Sequence, residues 1–434
     1  MAAKQVILVS SPKMDKNNRR NENELIRMSK NTRDMNEFSR SKIEISCTQK
    51  GRPPVVLEIF KAYADDLKWV SEKYSKEEID RIAFVTTHTL ERISGSNNLC
   101  NVWLSEDVDN VMIGADPEFL IKNKGLTEII NARSLLAPVG EMGSDGAMGE
   151  IRPYPCKDPM EFCSNIRNIF MDKKYKNIID NYILVAGCYE RDKVRDFPIG
   201  GHIHVGNPVD ILKVSITNRQ LILKTLNKIL DELLAIPVSR LDIGENRYNR
   251  RAGCKMSPYG GYGFFGELRF AKDPKDPDKT LRLEHRTLSG MWLMHPVVTT
   301  SVIGVAKLII DSFWDIMKQK EFDVDFAFPK DYIKSQIWKP GFDSWSEFPI
   351  CKEMMCNRSS SDMIKILNSK DNKGINKQFL NAWREKLRKL PYYDKYENFV
   401  NLLNDILLIP IREIETYDRT IQKNWIENKK FIVE

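Results

Sequence analysis

Gly200-Gly201-His202-Ile203-His204-Val205-Gly206 holds two of the chain's five histidines. The imidazoles stand at i and i+2 among branched apolar residues, with glycines on either side. Alternation of this kind has the period of a strand, which sends both rings out of one face. Neutral imidazole is a common metal ligand, and two on one face can share a pocket. A hydrogen-bonded structural pair has the same pattern, so the neighbouring segments decide.

Four of them repeat the spacing. Asp116-Pro117-Glu118 sets two carboxylates at i and i+2, and Glu150-Ile151-Arg152, Glu267-Leu268-Arg269 and Glu284-His285-Arg286 each set a carboxylate and a guanidinium two apart. In strands, each pair lies on one face, either wetted outside or lining a polar cavity. The surrounding GADPEF, SDGAMGEIRP and GGHIHVG favour the cavity, because small residues let a backbone or a ligand come close. We therefore expect one active-site sheet built from these strands.

A chain of 434 residues implies two or three packed units. The net charge is +7, and residues 1–52, with twelve Lys/Arg and six Asp/Glu, account for +6 of it. The body is thus no general polyanion binder, whereas the basic segment reads as a weakly ordered arm that could touch nucleic acid. Eight cysteines without a C-x-x-C pair read as reduced thiols of a cytoplasmic protein. No membrane span is expected: the most apolar stretch, His295 to Ile310, is interrupted by Thr299, Thr300, Ser301 and Lys307. An apolar run from Val6 to Val9 is too short for a signal peptide.

Along the chain, Val55–Tyr74 and Lys76–Ile93 read as helices, making 53–107 a helical N-terminal region. Strand-like runs follow at Val111–Ile121, Glu150–Arg152, Ile183–Gly187, His202–Val205, Glu267–Phe270 and Arg282–Thr287. Helices are expected over Asp158–Lys173, Val209–Leu234 and Gly290–Lys320, the last with a kink at Pro296. The pattern lacks regular βαβ alternation and predicts an α+β domain over 108–325 with a largely antiparallel sheet. Residues 326–434 read as a helical C-terminal region for packing or homo-oligomerisation, with helices over Ser361–Leu367, Asn376–Leu390 and Asn398–Leu407.

Carboxylates with imidazole and without thiolates suit Mg²⁺ or Mn²⁺. Arginines beside such a site suit phosphate oxygens. Together they point to a nucleotide-using enzyme that works by positioning and charge neutralisation. Arg247-Tyr248-Asn249-Arg250-Arg251-Ala252-Gly253 reads as a basic loop that covers phosphates or as a solvated surface turn. Gly261-x-Gly263-x-x-Gly266 runs into a strand rather than opening a helix, which argues against a dinucleotide fingerprint. No phosphate-binding G-x-x-x-x-G-K-[ST] loop, nucleophile elbow or H-E-x-x-H helix occurs.

GADPEF at Gly114–Phe119, DGAMGEIRP at Asp145–Pro153, GGHIHVG, NRRAG at Asn249–Gly253 and LEHRTLSGMWL at Leu283–Leu293, in that order, resemble the carboxylate–amine ligase (amidoligase, type 2) family known mainly from tailed phages. That family is assigned to the glutamine synthetase and glutamate–cysteine ligase superfamily. The resemblance spans about Gly114 to Pro296. It implies a glutamine-synthetase-like curved antiparallel sheet with flanking helices. It also implies ATP-dependent joining of a small-molecule or peptide carboxylate to an amine through an acyl-phosphate, with Mg²⁺ or Mn²⁺, in a host cytoplasm. Carried onto this chain, it makes Glu118, Glu150, His202, His204 and Glu284 candidate metal ligands. Arg152, Arg250, Arg251 and Arg286 become phosphate clamps, and Asp116 and Asp145 become helpers in metal binding or amine deprotonation. The loop after Gly253 is longer than the family's compact loop, and Lys272–Lys279 reads as a local insertion. Two rivals remain at this stage: a metal-dependent hydrolase of amide or phosphoester bonds, and an inactive phage structural or nucleic-acid-binding protein.

Overall fold

The computed structural model describes residues 111–242, 246–253, 262–271, 282–328, 348–356 and 358–427, together with the backbone of 40–45 and 55–60. Contacts divide the chain into one unit of Met1–Val108 with Asn428–Glu434 and another of Asp109–Glu427. In the first, β1 (Arg40–Ile45) pairs antiparallel with β2 (Val55–Phe60). This corrects the helix expected to open at Val55: Val55, Val56 and Ile59 are β-branched and favour extended backbone. It also sets a strand inside the basic arm. The rest of that arm, the helix expected over 76–93 and the insertion at 272–279 lie outside the described residues.

The second unit is built on an eight-stranded sheet. Its strands are β3 (Ile113–Lys122), β4 (Ile129–Ile130), β5 (Met142–Asp145), β6 (Met148–Ile151), β7 (Ile183–Val185), β10 (Gly201–Val205), β11 (Leu268–Ala271) and β12 (Arg282–His285). The order is β11-β12-β10-β3-β6-β5, with β4 and β7 pairing the far end of β3, and each of these pairs is antiparallel. The α+β class with an antiparallel sheet is thus observed. β8 (Tyr189–Arg191) and β9 (Asp196–Pro198) form a separate hairpin.

The helices start where the local chemistry supplies a cap. Asp158 accepts from the Met160 and Glu161 N–H groups and opens α1 (Pro159–Met171), with Pro159 at the first turn. Ser215 caps α2 (Ile216–Leu230) through the Asn218 N–H. His295 Nδ1 accepts the Val297 N–H at 3.1 Å and opens α3 (Pro296–Gln319). Burial holds the His295 imidazole down, at about 3, so it stays neutral and able to accept. Pro296 therefore begins α3 rather than kinking it, since a helix's first N–H groups have no intrahelical acceptor.

α3 is long and apolar enough to cross a membrane by composition, yet its apolar window is wholly buried. It is the axis of the helical layer, packed by α1, by α2 and by α5 (Tyr393–Leu408), which follows α4 (Lys377–Leu387). Its buried Lys307 and Asp311 are paired inside. Lys307 Nζ donates to Val111 O at 2.8 Å and to Asp311 Oδ1 at 2.7 Å, and Tyr396 OH donates to Asp311 Oδ2 at 2.5 Å. Trp292 Nε1 donates to Gly201 O at 3.1 Å, tying the turn before α3 to β10.

Removing one member of a buried ion pair strands the other. Lys307→Met is expected to lower unfolding free energy by about 3 kcal/mol in urea titrations. Lys307→Met/Asp311→Leu should recover part of that loss, and a double variant no better than the single would contradict the pairing.

Candidate active site

Register builds the site. In β10, His202 stands opposite Asp116 of β3, and His204 stands opposite Glu284 of β12. Glu118 of β3 faces Glu150 of β6, and Arg269 of β11 faces Glu284. Because alternate residues share a face, these side chains line one side of the sheet, while Ala115, Ile151, Ile203 and His285 point to the other. His285 is buried and held at about 3, first by burial and then by the His202 and Arg250 charges, and its Nδ1 meets Asn227 Oδ1 at 2.9 Å.

The two imidazoles bracket two carboxylates. His202 Nδ1 lies 3.2 Å from Asp116 Oδ1 and 3.7 Å from Glu284 Oε1. His204 Nε2 lies 3.1 Å from Asp116 Oδ2 and 3.8 Å from Glu284 Oε2. Despite the short separations, Asp116 Oδ1, His202 Nδ1 and His204 Nε2 are buried without an aligned hydrogen bond. Burial raises the Asp116 carboxyl, but His202 and His204 outweigh it and hold the group well below the usual carboxylate range. Asp116, His202 and Glu284 present ligand atoms within 4.8 Å of one another. Converging buried oxygen and imidazole donors, of which Asp116 Oδ1, His202 Nδ1 and His204 Nε2 lack aligned partners, fit a divalent cation of the Mg²⁺ or Mn²⁺ kind.

Around this cluster the remaining carboxylates are held by donors. Glu118 is 1% exposed, and burial raises its pKa. Its Oε2 accepts the Gly200 N–H at 2.5 Å, and its Oε1 accepts Tyr262 OH at 3.2 Å. Glu284 accepts Arg269 Nε at 2.6 Å and also pairs with Arg286 Nη1. Glu150 pairs with Arg152, whose Nη1 donates to Gly140 O at 3.2 Å. Asp145, at the end of β5, is exposed, and its charge helps raise Glu118. The glycines have a steric reason: a Cβ on Gly200 would run into the His202 ring and the Tyr262 hydroxyl, and one on Gly201 into Ser289 O and the Trp292 indole.

Of the residues read from the sequence, Asp116, Glu118, His202, His204, Glu284 and Arg286 are brought together, with Glu150 and Arg152 beside them and Asp145 at the rim. Arg250 and Arg251 are not, and their assignment as clamps is corrected. The NRRAG segment is a helical turn, not an open loop. Arg250 is fully buried and donates to Ile199 O at 3.1 Å, Thr287 O at 2.8 Å and Leu288 O at 2.6 Å. Arg251 donates to Gly263 O at 2.9 Å and pairs with Asp242 at 3.4 Å, and burial pushes its guanidinium down to about 9. These donors are committed to carbonyls behind the site. Arg286 is partly committed too: its Nε meets Glu267 Oε1 at 3.4 Å and its Nη2 meets Tyr262 OH at 3.4 Å. The accessible guanidiniums are Arg269, with a side chain 61% exposed, and Arg152, at 32%.

Two residues escaped the sequence reading. Arg269 was seen in its E-x-R pair but not assigned. Tyr262 was seen only as part of a glycine-rich turn, and its sole signal is an aromatic residue between glycines just before a strand.

A family model described as "Phage phiEco32-like COOH.NH2 ligase-type 2" matches residues 113–334. Among solved structures, the chain is similar to the complex of the prokaryotic ubiquitin-like protein Pup and its ligase PafA, at 11% identity and TM-score 0.39, over 74% of this chain and 67% of that one. It is also similar to a bifunctional glutathione synthetase from Pasteurella multocida, at 12% identity and TM-score 0.38, over 74% of this chain and 51% of that one. The chain thus spans about half the length of that synthetase. No curated protein matches it.

The corrected role of Arg250 has a direct check. Arg250→Lys keeps the charge but cannot serve three carbonyls in the same fork. It is expected to lose about 2–4 kcal/mol of stability in urea titrations, as buried carbonyls lose their donors. Unchanged stability with weakened nucleotide binding would restore the clamp.

Proposed function

Because the chain belongs to the phage phiEco32-like COOH.NH2 ligase-type 2 family, it is a carboxylate–amine ligase, and we propose that it uses ATP and a divalent metal to do so. The observation that carries this reading is the cluster of Asp116, His202, His204 and Glu284, with buried lone pairs converging beside accessible arginines. Asp116, His202 and Glu284 would hold the cation, with His204 at its edge. When bound, the ion would draw charge from the phosphate oxygens and so favour phosphoryl transfer.

The chain's own residues account for the rest. Asp116 is suited to a ligand's role because its carboxyl stays ionised well into acid. Arg152 and Arg269 are the candidates to grip phosphate oxygens, since each offers an accessible guanidinium. Arg286 braces Glu284 and Tyr262 and so keeps the carboxylate aimed. Asp145, exposed at the rim, is the candidate to take the amine's proton. In the proposed sequence the substrate carboxylate takes the terminal phosphoryl group of ATP and releases ADP. The amine then attacks the acyl carbon, and the carbon–oxygen bond to phosphate breaks as the amide forms. Catalysis here is positioning and charge neutralisation in a water-poor site. Small-molecule and peptide acids are both candidate substrates. The buried cysteines Cys156, Cys163, Cys188 and Cys351, none of them in a disulfide, fit a reducing compartment that supplies ATP, such as the cytoplasm.

The test is a product screen by mass spectrometry with ATP, Mg²⁺ or Mn²⁺, and pooled amino acids and peptides. ADP and an amide product should appear together and vanish on chelation. Asp116→Asn and Glu284→Gln should each lower turnover by about 10²–10³-fold, with thermal midpoints close to the parent's. Undiminished turnover in both would remove the metal-site assignment.

A further inference from the structure

Several glycines of the sheet have a steric reason, but Gly114 does not. A Cβ on Gly201 would strike Ser289 O and the Trp292 indole, one on Gly149 the Phe119 ring, and one on Gly143 the Arg152 guanidinium. A Cβ on Gly114 would meet, among the described residues, His204 Cβ and Pro155 Cβ at 3.6 Å and His204 Nδ1 at 4.0 Å, which is ordinary contact. The backbone does not call for glycine either, since Gly114 has no positive φ and pairs in regular register with His204. Glycine within a strand is destabilising relative to alanine and often marks a close approach by a ligand. The missing side chain at 114 therefore leaves room rather than relieving a clash.

That room lies on the site face. Gly114 stands two residues before Asp116 in β3, about 7 Å along the strand. Its walls are His204 and Pro155, and Met112, the next residue of that face, is 40% exposed. The other end of the face is filled: Leu120 packs with Met148, Phe197 and Ile199, and Lys122 pairs with Glu190 of the β8–β9 hairpin at 3.3 Å. The flanks of the cluster are charged, with Arg152 on one side and Arg286 and Arg269 on the other. Over Gly114, by contrast, the nearest walls are the carbons of His204 and Pro155, which suit a carbon chain better than a phosphate.

We infer that Gly114 is a specificity-determining residue, and that the space beside it takes the carbon stem behind the reacting carboxylate of the acid substrate. The occupant rests on the ligase reading, in which that carboxylate lies by Asp116, His202 and Glu284. Its stem is blocked toward Leu120 and runs between His204 and Pro155 toward Met112. The phosphates stay with the arginines on the flanks. A larger residue at 114 therefore obstructs the acid and leaves nucleotide and cation in place.

Gly114→Ala and Gly114→Val test it beside the parent, in the screen of pooled amino acids and peptides with ATP and Mn²⁺. Michaelis constants are then measured for the acid and for ATP in whichever amide the parent forms. Both variants should melt at or above the parent's midpoint. KM for the acid should rise about tenfold or more in Gly114→Val and less in Gly114→Ala, while KM for ATP stays within about twofold. Mn²⁺ affinity, followed by electron paramagnetic resonance, should not change. A lowered midpoint in Gly114→Ala would make the glycine structural and overturn the inference. So would an unchanged KM for the acid in the folded variants, a raised KM for ATP, or weakened Mn²⁺ binding. Should Gly114→Val fail to fold, Gly114→Ala decides alone. A parent that forms no amide removes the ligase reading and the occupant with it, whereas an active parent with unaffected variants removes the role of Gly114 alone.

Discussion

Four carboxylates, Asp116, Glu118, Glu150 and Glu284, are buried side by side in the middle of one sheet. Even after relaxation, removing one such ion from water costs several kcal/mol. Much of the surrounding structure reads as compensation. Glu284 is met by Arg269 and Arg286, Glu150 by Arg152, and Glu118 by the Gly200 N–H and Tyr262 OH. Asp116 faces two imidazoles that hold its charge. This arrangement needs antiparallel pairing with fixed register, because a slip of one residue would turn every one of these groups to the other face.

Register in turn depends on close packing at β10. The central strand is pinned on one side by β3 and on the other by β12. Beneath it, Trp292 holds Gly201 O, and Arg250 holds Ile199 O together with Thr287 O and Leu288 O. One guanidinium thus joins the chain entering β10 to the chain leaving β12. Charge placed this far inside serves geometry: it fixes the spacing of the two strands that carry His202, His204 and Glu284.

Much of this was legible in the sequence, for a physical reason. The i, i+2 pairs of Asp116/Glu118, Glu150/Arg152, His202/His204 and Glu284/Arg286 reveal a shared face directly, because strand alternation is rigid. The site strands followed from it, and the antiparallel class from the lack of regular βαβ alternation. What could not be read was which donors were already spent. Arg250 and Arg152 look alike in sequence, yet one faces carbonyls behind the sheet and the other its rim. That difference is set by the helical turn at 246–253, which its three arginines and closing Gly253 disguised as a loop. Tyr262 escaped because its contacts are long-range, with His202 sixty residues away in the chain. The strand at Val55–Phe60 was missed because its apolar residues fit helical spacing as well as extended backbone.

The arginines behind the site also explain why the C-terminal helices matter to it. The helix Ser360–Leu367 ends in carbonyls without intrahelical partners, as helices must. Arg247 donates to Leu367 O and Ile366 O, and Arg251 to Leu367 O at 3.4 Å. Arg240 does the same for α5, donating to Leu407 O at 2.5 Å and to Ile409 O at 3.3 Å. Cations at helix C-termini are favourable on electrostatic grounds as well. Trp383 of α4 donates to Leu233 O at 2.6 Å, next to Asp231, which anchors the Tyr262 loop. The C-terminal helices therefore bear on the same turn that braces β10 and β12. They lie in one compact unit with the sheet, and they support the site's geometry although none of their described side chains enters it.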